Sequence, residues 1–135
     1  MNLIRPSGTI PLEPLTFPLR RTAEEYPEKV AVIEPEKGGK EYSYQWLEEN
    51  SSAFAASLAS LGIEPGDPIA LWMKNSLGYI LSFYGILKAG GIVVPVSTHY
   101  GEREVLYQLS ETEAKGLITS DSLYAQGRSL VSEVD

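Results

Sequence analysis

The sequence predicts an α/β fold: a layered parallel sheet with βαβ crossovers flanked by helices, preceded by an N-terminal helix and a β-hairpin. Three observations carry that expectation. Short apolar runs at Pro68 to Met73, Ile92 to Val96 and Lys115 to Thr119 begin about 24 residues apart, the spacing of repeated strand-helix units with short loops. The first two runs lack clean alternation of polar and apolar residues, as strands covered on both faces do. The segments between the runs instead place apolar residues at intervals of three and four, the period of a helix with one buried side.

Each element follows in order. Residues 1 to 14 hold Pro6, Pro11 and Pro14 among turn formers and read as a proline-rich extension over the surface. Thr16 is placed to cap a helix that tolerates Pro18 in its first turn, with Leu15, Leu19, Ala23 and Tyr26 along one side. Pro27 stops it. Lys29 to Ile33 and Glu41 to Tyr44 then read as the two strands of a hairpin with Gly38-Gly39 at the tip.

A long helix is expected from Gln45 to Leu61, burying Leu47, Phe54, Leu58 and Leu61 with Ser51 among them. Its alanines favour close packing on a sheet, and Gly62 is suited to a left-handed helix end. After the Pro68 strand, Asn75 or Ser76 caps a helix with Leu77, Ile80, Leu81, Tyr84 and Leu87 inward, closed by Ala89-Gly90-Gly91. Ile92 to Val96 follows as a second buried strand, giving a βαβ unit expected to cross over with the right hand. Thr98 caps a helix over Gly101 to Glu111 with Val105, Leu106 and Leu109 inward. Asp121 caps another over Ser122 to Gly127, and an amphipathic pattern begins again at Arg128. Three parallel strands with open edges make a small sheet, so the pattern is read as an incomplete part of a larger domain, residues 15 to 135 being the portion present.

The totals bound the function. A chain of 135 residues with 43% apolar and 21% charged residues is the size and composition of one globular domain. Eighteen acidic against 11 basic residues give a formal charge of −7, without the basic stripe that phosphate neutralisation needs, so nucleic acid is excluded as a partner. Cysteine is absent, which removes disulfide and thiolate chemistry. No apolar segment approaches the length of a spanning helix, and the first 20 residues lack a signal-peptide core; a soluble, cytoplasmic protein is expected.

The residues offer little catalytic chemistry. A dinucleotide site needs a Gly-x-Gly-x-x-Gly turn after the first parallel strand, where Lys74-Asn75-Ser76-Leu77-Gly78 has one glycine, and the Gly-x4-Gly-Lys-Ser/Thr phosphate cradle is missing. Gly38-Gly39 and Gly90-Gly91 read as a turn and a helix end. His99, the single imidazole, falls just past a strand's carboxyl end, where α/β proteins build ligand loops. It reads first as an ordinary polar loop residue beside Thr98 and Tyr100, with pocket lining as the alternative. General-base or metal chemistry would need a positioned partner that the sequence does not show. Glu102 and Glu104 point to different helix faces, and the serines lack a nucleophile-elbow setting. Trp46, Phe54 and Trp72 read as core, with Trp72's indole nitrogen in need of an acceptor and a ligand cleft as its alternative. Tyr79, Tyr84, Tyr100 and Tyr107 are too scattered for a stacking platform.

Three blocks, Tyr42-Ser43-Tyr44-Gln45-Trp46-Leu47, Leu61 to Leu71 and Leu87 to Val96, resemble the opening portion of AMP-forming acyl-CoA synthetases, of the adenylate-forming ligase superfamily, which also includes luciferases and the adenylation domains of peptide synthetases. The ordered likeness runs over residues 15 to 121. Trp46 stands where the family usually has an acidic residue, and Ser97-Thr98 where it has an asparagine-proline pair. The resemblance implies a longer parent that activates a carboxylic acid with ATP and magnesium to an acyl-adenylate, releases pyrophosphate and passes the acyl group to coenzyme A. It further implies that the phosphate loop, the nucleotide-binding segments and a catalytic lysine lie beyond Asp135. No catalytic, cofactor-binding or metal residue carries over to this chain. The fragment alone is expected to be inactive, its partner being the remainder of its own polypeptide. A fatty acid is the favoured substrate class, on the likeness of Ile92 to Val96. The alternatives are a self-contained non-catalytic α/β interaction module and a nucleotide enzyme related to dehydrogenases.

Overall fold

A computed structural model describes residues 13–133. The proline-rich reading of residues 1 to 14 therefore lies outside the described residues except at Glu13 and Pro14. The elements run α1 (Phe17–Glu25), β1 (Val30–Glu34), β2 (Lys40–Ser43), α2 (Tyr44–Ser60), β3 (Pro68–Trp72), α3 (Leu77–Lys88), β4 (Ile92–Pro95), α4 (Glu102–Glu111), β5 (Gly116–Thr119) and α5 (Asp121–Val131). β1 and β2 form an antiparallel hairpin around a 3-10 turn at Pro35–Lys37, with a register shift between Val30 and Val32. The other three strands form a parallel sheet in the order β4-β3-β5.

The central strand organises the molecule because its side chains alternate between faces. Ile69, Leu71 and Met73 join Leu58 of α2 and Ile86 of α3 in one core. Ala70 and Trp72 join Val105 and Leu109 of α4 and Leu130 of α5 in the other. Two helical layers thus enclose one sheet. Burying a residue the size of Ile69 or Leu71 contributes roughly 1.5–3 kcal/mol, so β3 alone contributes to both cores at full depth. The crossovers are consistent with each other: β3 to β4 moves one way along the sheet with α3 on the first face, and β4 to β5 moves the other way with α4 on the opposite face. Reversing both direction and face leaves the hand unchanged, so the two crossovers share one hand.

Local chemistry explains most element ends. Ser43 Oγ accepts from Trp46 N at 3.1 Å and starts α2, and Ser76 Oγ accepts from Tyr79 N at 3.1 Å and starts α3. Gly62, at φ +89°, ends α2 as expected: its N–H bonds to Ala59 O at 3.0 Å and Ile63 N to Leu58 O at 3.1 Å, the paired bonds of a Schellman motif.

Several expectations are corrected. Thr16 occupies the N-cap position of α1 in helical conformation and makes no side-chain cap, and only Leu19 and Ala23 of the expected stripe are buried, with Leu15 70% and Tyr26 50% exposed. Leu61 is 81% exposed because the Schellman turn has already swung the chain away from the helix face. The expected inward residues of α3, Leu77, Ile80, Leu81, Tyr84 and Leu87, are only half-buried, whereas Ser82, Gly85 and Ile86 are buried. An α3 apolar on nearly every side has no unique stripe, and the face with small residues allows the closest approach to α2. β4 is not a buried strand: it lies at the sheet edge and Ile92 is 53% exposed. Thr98 caps nothing, since α4 starts from Gly101, and α5 starts from Ser120 with Asp121 inside its first turn. α5 also runs on to Val131, with Gly127 mid-helix rather than at its end. A Cβ on Gly127 would meet Leu117 Cδ2 at 3.3 Å and Thr119 Cγ2 at 3.5 Å, so this glycine sets how closely α5 lies on the sheet.

Candidate functional site

In open parallel sheets, ligand clefts form outside the carboxyl ends of the strands. Here that end carries a cleft of about 570 Å³, lined among others by Met73, Lys74, Asn75, Val96, His99 and Tyr100. Its floor is built from the sheet itself. Val96 N continues the ladder to Leu71 O at 3.0 Å, and the Trp72 indole N–H donates to Ser97 O at 3.2 Å. That bond supplies the acceptor the indole requires, across 25 residues of sequence. Tyr100 N donates to the same carbonyl at 3.2 Å, and Ser97 Oγ accepts from His99 N at 3.2 Å. The buried Trp72 thereby fixes the loop that holds His99 at the cleft rim.

His99 is among the residues lining the cleft, whereas Trp72 is core and not lining: it is 1% exposed, and its indole N–H reaches the loop only through Ser97 O. Ser76, between the lining residues Asn75 and Tyr79, caps α3 through Tyr79 N, and its hydroxyl lies 4.0 Å from Met73 Sδ. Glu102 and Glu104 stand in the first turn of α4, exposed, and Tyr107 is exposed further along it. The structure does not bring them to His99 as a paired acid–base set.

Chemically, the cleft can shape and contact a ligand, but its groups do not form an activating constellation. His99 is exposed and makes no ion pair, and among the described residues no group of three His, Cys, Asp or Glu side chains is placed to hold a metal ion. Proton transfer needs a base in hydrogen-bond reach of its partner, and His99's hydrogen bond in the cleft runs through its backbone N–H. At the first turn of α3 the Ser76 hydroxyl takes the Tyr79 N–H. A Cβ on Gly78 would find only ordinary contacts at 3.6 and 3.8 Å, so no backbone cradle depends on that glycine.

Two polar clusters escaped the sequence reading. Lys88 Nζ at the end of α3 lies 2.7 Å from Glu48 Oε2, and also donates to Glu48 O at 2.8 Å and Ser52 Oγ at 3.0 Å, joining α3 to α2. In the hairpin, Tyr42 Oη donates to Glu34 Oε2 at 2.8 Å and Lys37 Nζ lies 3.2 Å from the same oxygen. The Tyr42 hydroxyl, with Lys37 assisting and partial desolvation opposing, holds the Glu34 carboxyl below its ordinary 4.5. Lys88 and Glu48 are 40 residues apart and Tyr42 meets Glu34 only across the hairpin, so neither contact carries a local sequence signal, whereas Lys37 is three residues from Glu34.

The parallel sheet and its flanking helices agree with the comparisons. A profile of the AMP-binding enzyme family matches residues 19–135. The chain belongs to the AMP-binding enzyme family. The chain is 35% identical over 112 residues to Tyrocidine synthase 3 of Brevibacillus parabrevis, covering 82% of the chain and 2% of that protein. It is 44% identical over 81 residues to the Long-chain-fatty-acid–CoA ligase of Salmonella typhimurium, covering 59% of the chain and 14% of the ligase. It is also similar to the inhibitor-bound crystal structure of the N-terminal domain of FACL13 from Mycobacterium tuberculosis, with a TM-score of 0.83 and 28% identity over 92% of this chain and 31% of that one. Against curated relatives of this family the chain spans from 2% to 22% of their length. Among the described residues no helix is long and apolar enough to cross a membrane.

Proposed function

We propose that this AMP-binding chain is the opening part of the N-terminal domain of an acyl-CoA synthetase. The whole protein would activate a carboxylic acid with ATP and magnesium to an acyl-adenylate, release pyrophosphate and transfer the acyl group to coenzyme A in the cytoplasm. The observation that carries this reading is the likeness over 92% of the chain to the solved N-terminal domain of FACL13, of which it covers 31%. Phosphoryl and adenylyl transfer require amides, metal ions or cationic side chains aimed at the developing charge; in the carboxyl-end cleft Lys74 is the one cationic side chain among the described lining residues, and no group of side chains there is placed to hold a metal ion. The chain's role is therefore scaffolding: a β3-centred layer that positions elements supplied elsewhere in the polypeptide.

A long-chain fatty acid is the favoured substrate, supported by the higher local identity to fatty-acid–CoA ligases. Activation of an amino acid is the second reading, favoured by the longer match to a peptide synthetase. Acid-dependent exchange of pyrophosphate into ATP by the longer polypeptide tests both. Exchange with fatty acids and not amino acids supports the first reading, the reverse supports the second, and no exchange with fatty, aromatic, short-chain or amino acids removes the enzymatic assignment. The 135-residue chain by itself is expected to give no exchange with any acid.

A further inference from the structure

Two asparagines are followed by a serine, Asn50-Ser51 and Asn75-Ser76, and the fold treats the two dipeptides oppositely. An asparagine deamidates when the backbone nitrogen of the next residue attacks its side-chain amide carbon. The reaction therefore needs that nitrogen uncommitted and the amide accessible. Asn50 meets neither condition. It lies within α2, where the Ser51 N–H belongs to the helix ladder and points along the axis, away from Asn50 Cγ. Asn50 Nδ2 is itself held by Trp46 O at 2.8 Å, and Ser51 is fully buried.

Asn75 meets both. It is exposed in the link between β3 and α3 and is followed by an extended Ser76, at φ −163° and ψ 171°. Ser76 is the N-cap and stands outside the helix ladder. Its hydroxyl is engaged with Tyr79 N, but among the described residues its own N–H makes no hydrogen bond. Asn75 also lines the cleft at the carboxyl ends of the strands, whose described lining includes Lys74 and His99 but no carboxylate.

From these observations we propose that Asn75 is a deamidation site and Asn50 is not, so that the cleft gains a carboxylate as the protein ages. Ser76 N gives its proton to solvent base and bonds to Asn75 Cγ. The Cγ–Nδ2 bond breaks, and ammonia leaves with a proton returned from solvent. Water then opens the five-membered imide at one carbonyl or the other, giving aspartate or isoaspartate. Water enters, ammonia leaves, and nothing is oxidised or reduced. Aspartate places a negative charge beside Lys74 and just ahead of the α3 cap, where the helix dipole favours it. Isoaspartate inserts a main-chain methylene at the same point and shifts the Ser76 cap relative to the cleft.

Incubation of the 135-residue chain in mildly alkaline native buffer, followed by tryptic digestion and mass spectrometry, tests it. Cleavage after Lys40, Lys74 and Lys88 puts Asn50 and Asn75 on separate peptides, each compared with a digest made before incubation. In the native chain Asn75 is expected to convert on the order of 10-fold or more faster than Asn50, because opening of α2 must precede reaction at Asn50. In guanidinium the two rates are expected to converge, since native structure is what separates the dipeptides. Ser76→Gly removes the Cβ that crowds the attack and keeps a tolerated N-cap, and is expected to speed conversion at residue 75 without changing it at Asn50. Asn75→Gln, whose ring closure would be six-membered, is expected to leave residue 75 unconverted over the same period. Equal or faster conversion of Asn50 in native buffer overturns the proposal. So does a rate difference that persists in guanidinium, because it then belongs to the flanking sequence. A Ser76→Gly chain converting at the unsubstituted rate also overturns it, by showing that the residue 76 nitrogen is not the attacking group.

Discussion

At the scale of single residues, the closest approaches in the molecule are governed by small side chains. A Cβ on Gly85 would collide with the Phe54 ring of α2, and it would also meet Phe54 Cβ at 3.3 Å, which rotation of the ring cannot relieve. Replacing a helix-interior glycine by alanine contributes about 1 kcal/mol of propensity, while overpacking costs about 1–3 kcal/mol. Gly85→Ala is therefore expected to destabilise the fold in urea unfolding, and to become stabilising in a Phe54→Ala background; a stabilising effect in both would show that α2 and α3 separate freely. Tyr42→Phe removes the principal cause of the lowered Glu34 carboxyl, so its NMR titration midpoint is expected to rise toward 4.5. Because the folded value is the lower one, this interaction's stabilisation is fully present above about pH 4.5 and is lost as the pH falls through the depressed value. An unmoved midpoint would assign the effect to Lys37 and Lys40 instead. Trp72→Phe is expected to cost on the order of 2 kcal/mol, from lost volume and the bond to Ser97 O, and to speed amide exchange across Thr98 to Gly101. Unchanged exchange in that loop would show that the indole bond does not hold it.

At the scale of elements, α2 and α3 are joined by a pair that is neither free surface nor full core: the Lys88 and Glu48 side chains retain 11% and 22% exposure. Removing one partner leaves a partly desolvated charge behind, which costs more than removing both. Lys88→Met and Glu48→Gln are each expected to lose about 1–3 kcal/mol, with the double variant losing less than their sum in a double-mutant cycle. Strict additivity would mean that the pair contributes nothing as a pair. Element types and order were legible before any coordinates, because the periods of two and 3.6 are properties of the local chain. Faces were less so. α4 and β3 present the residues their patterns indicate and α1 only Leu19 and Ala23 of its four, but α3 is apolar on nearly every side, and its buried face is the one with Ser82, Gly85 and Ile86. The expected caps divide in the same way: Ser76 bonds its own helix, whereas Thr16 makes no cap bond and α4 and α5 start from Gly101 and Ser120 rather than from Thr98 and Asp121; the Ser43 cap of α2 was not read from the sequence.

At the scale of the whole molecule, the two cores are not independent, since β3 supplies alternate residues to each. Loss of either face exposes the strand on which the other depends, and a single cooperative transition is expected. The two tryptophans report from separate regions. Trp46 lies against Tyr42 with ring centroids 4.7 Å apart, beside the hairpin, and Trp72 lies in the α4–α5 core. Fluorescence unfolding of Trp46→Phe and Trp72→Phe is expected to give transitions that coincide with the circular-dichroism curve of the same variant; separated curves would mean that the hairpin and the sheet unfold as distinct units. The fold class, the three parallel strands and the family likeness were determined by the sequence itself, because backbone propensity and apolar spacing act between near neighbours. Which strand lies at the centre and which carbonyl holds the Trp72 indole were decided only in the tertiary structure. Those outcomes depend on contacts between residues distant in sequence, such as Pro68 with Ile92 and Trp72 with Ser97, whose energies no local pattern records.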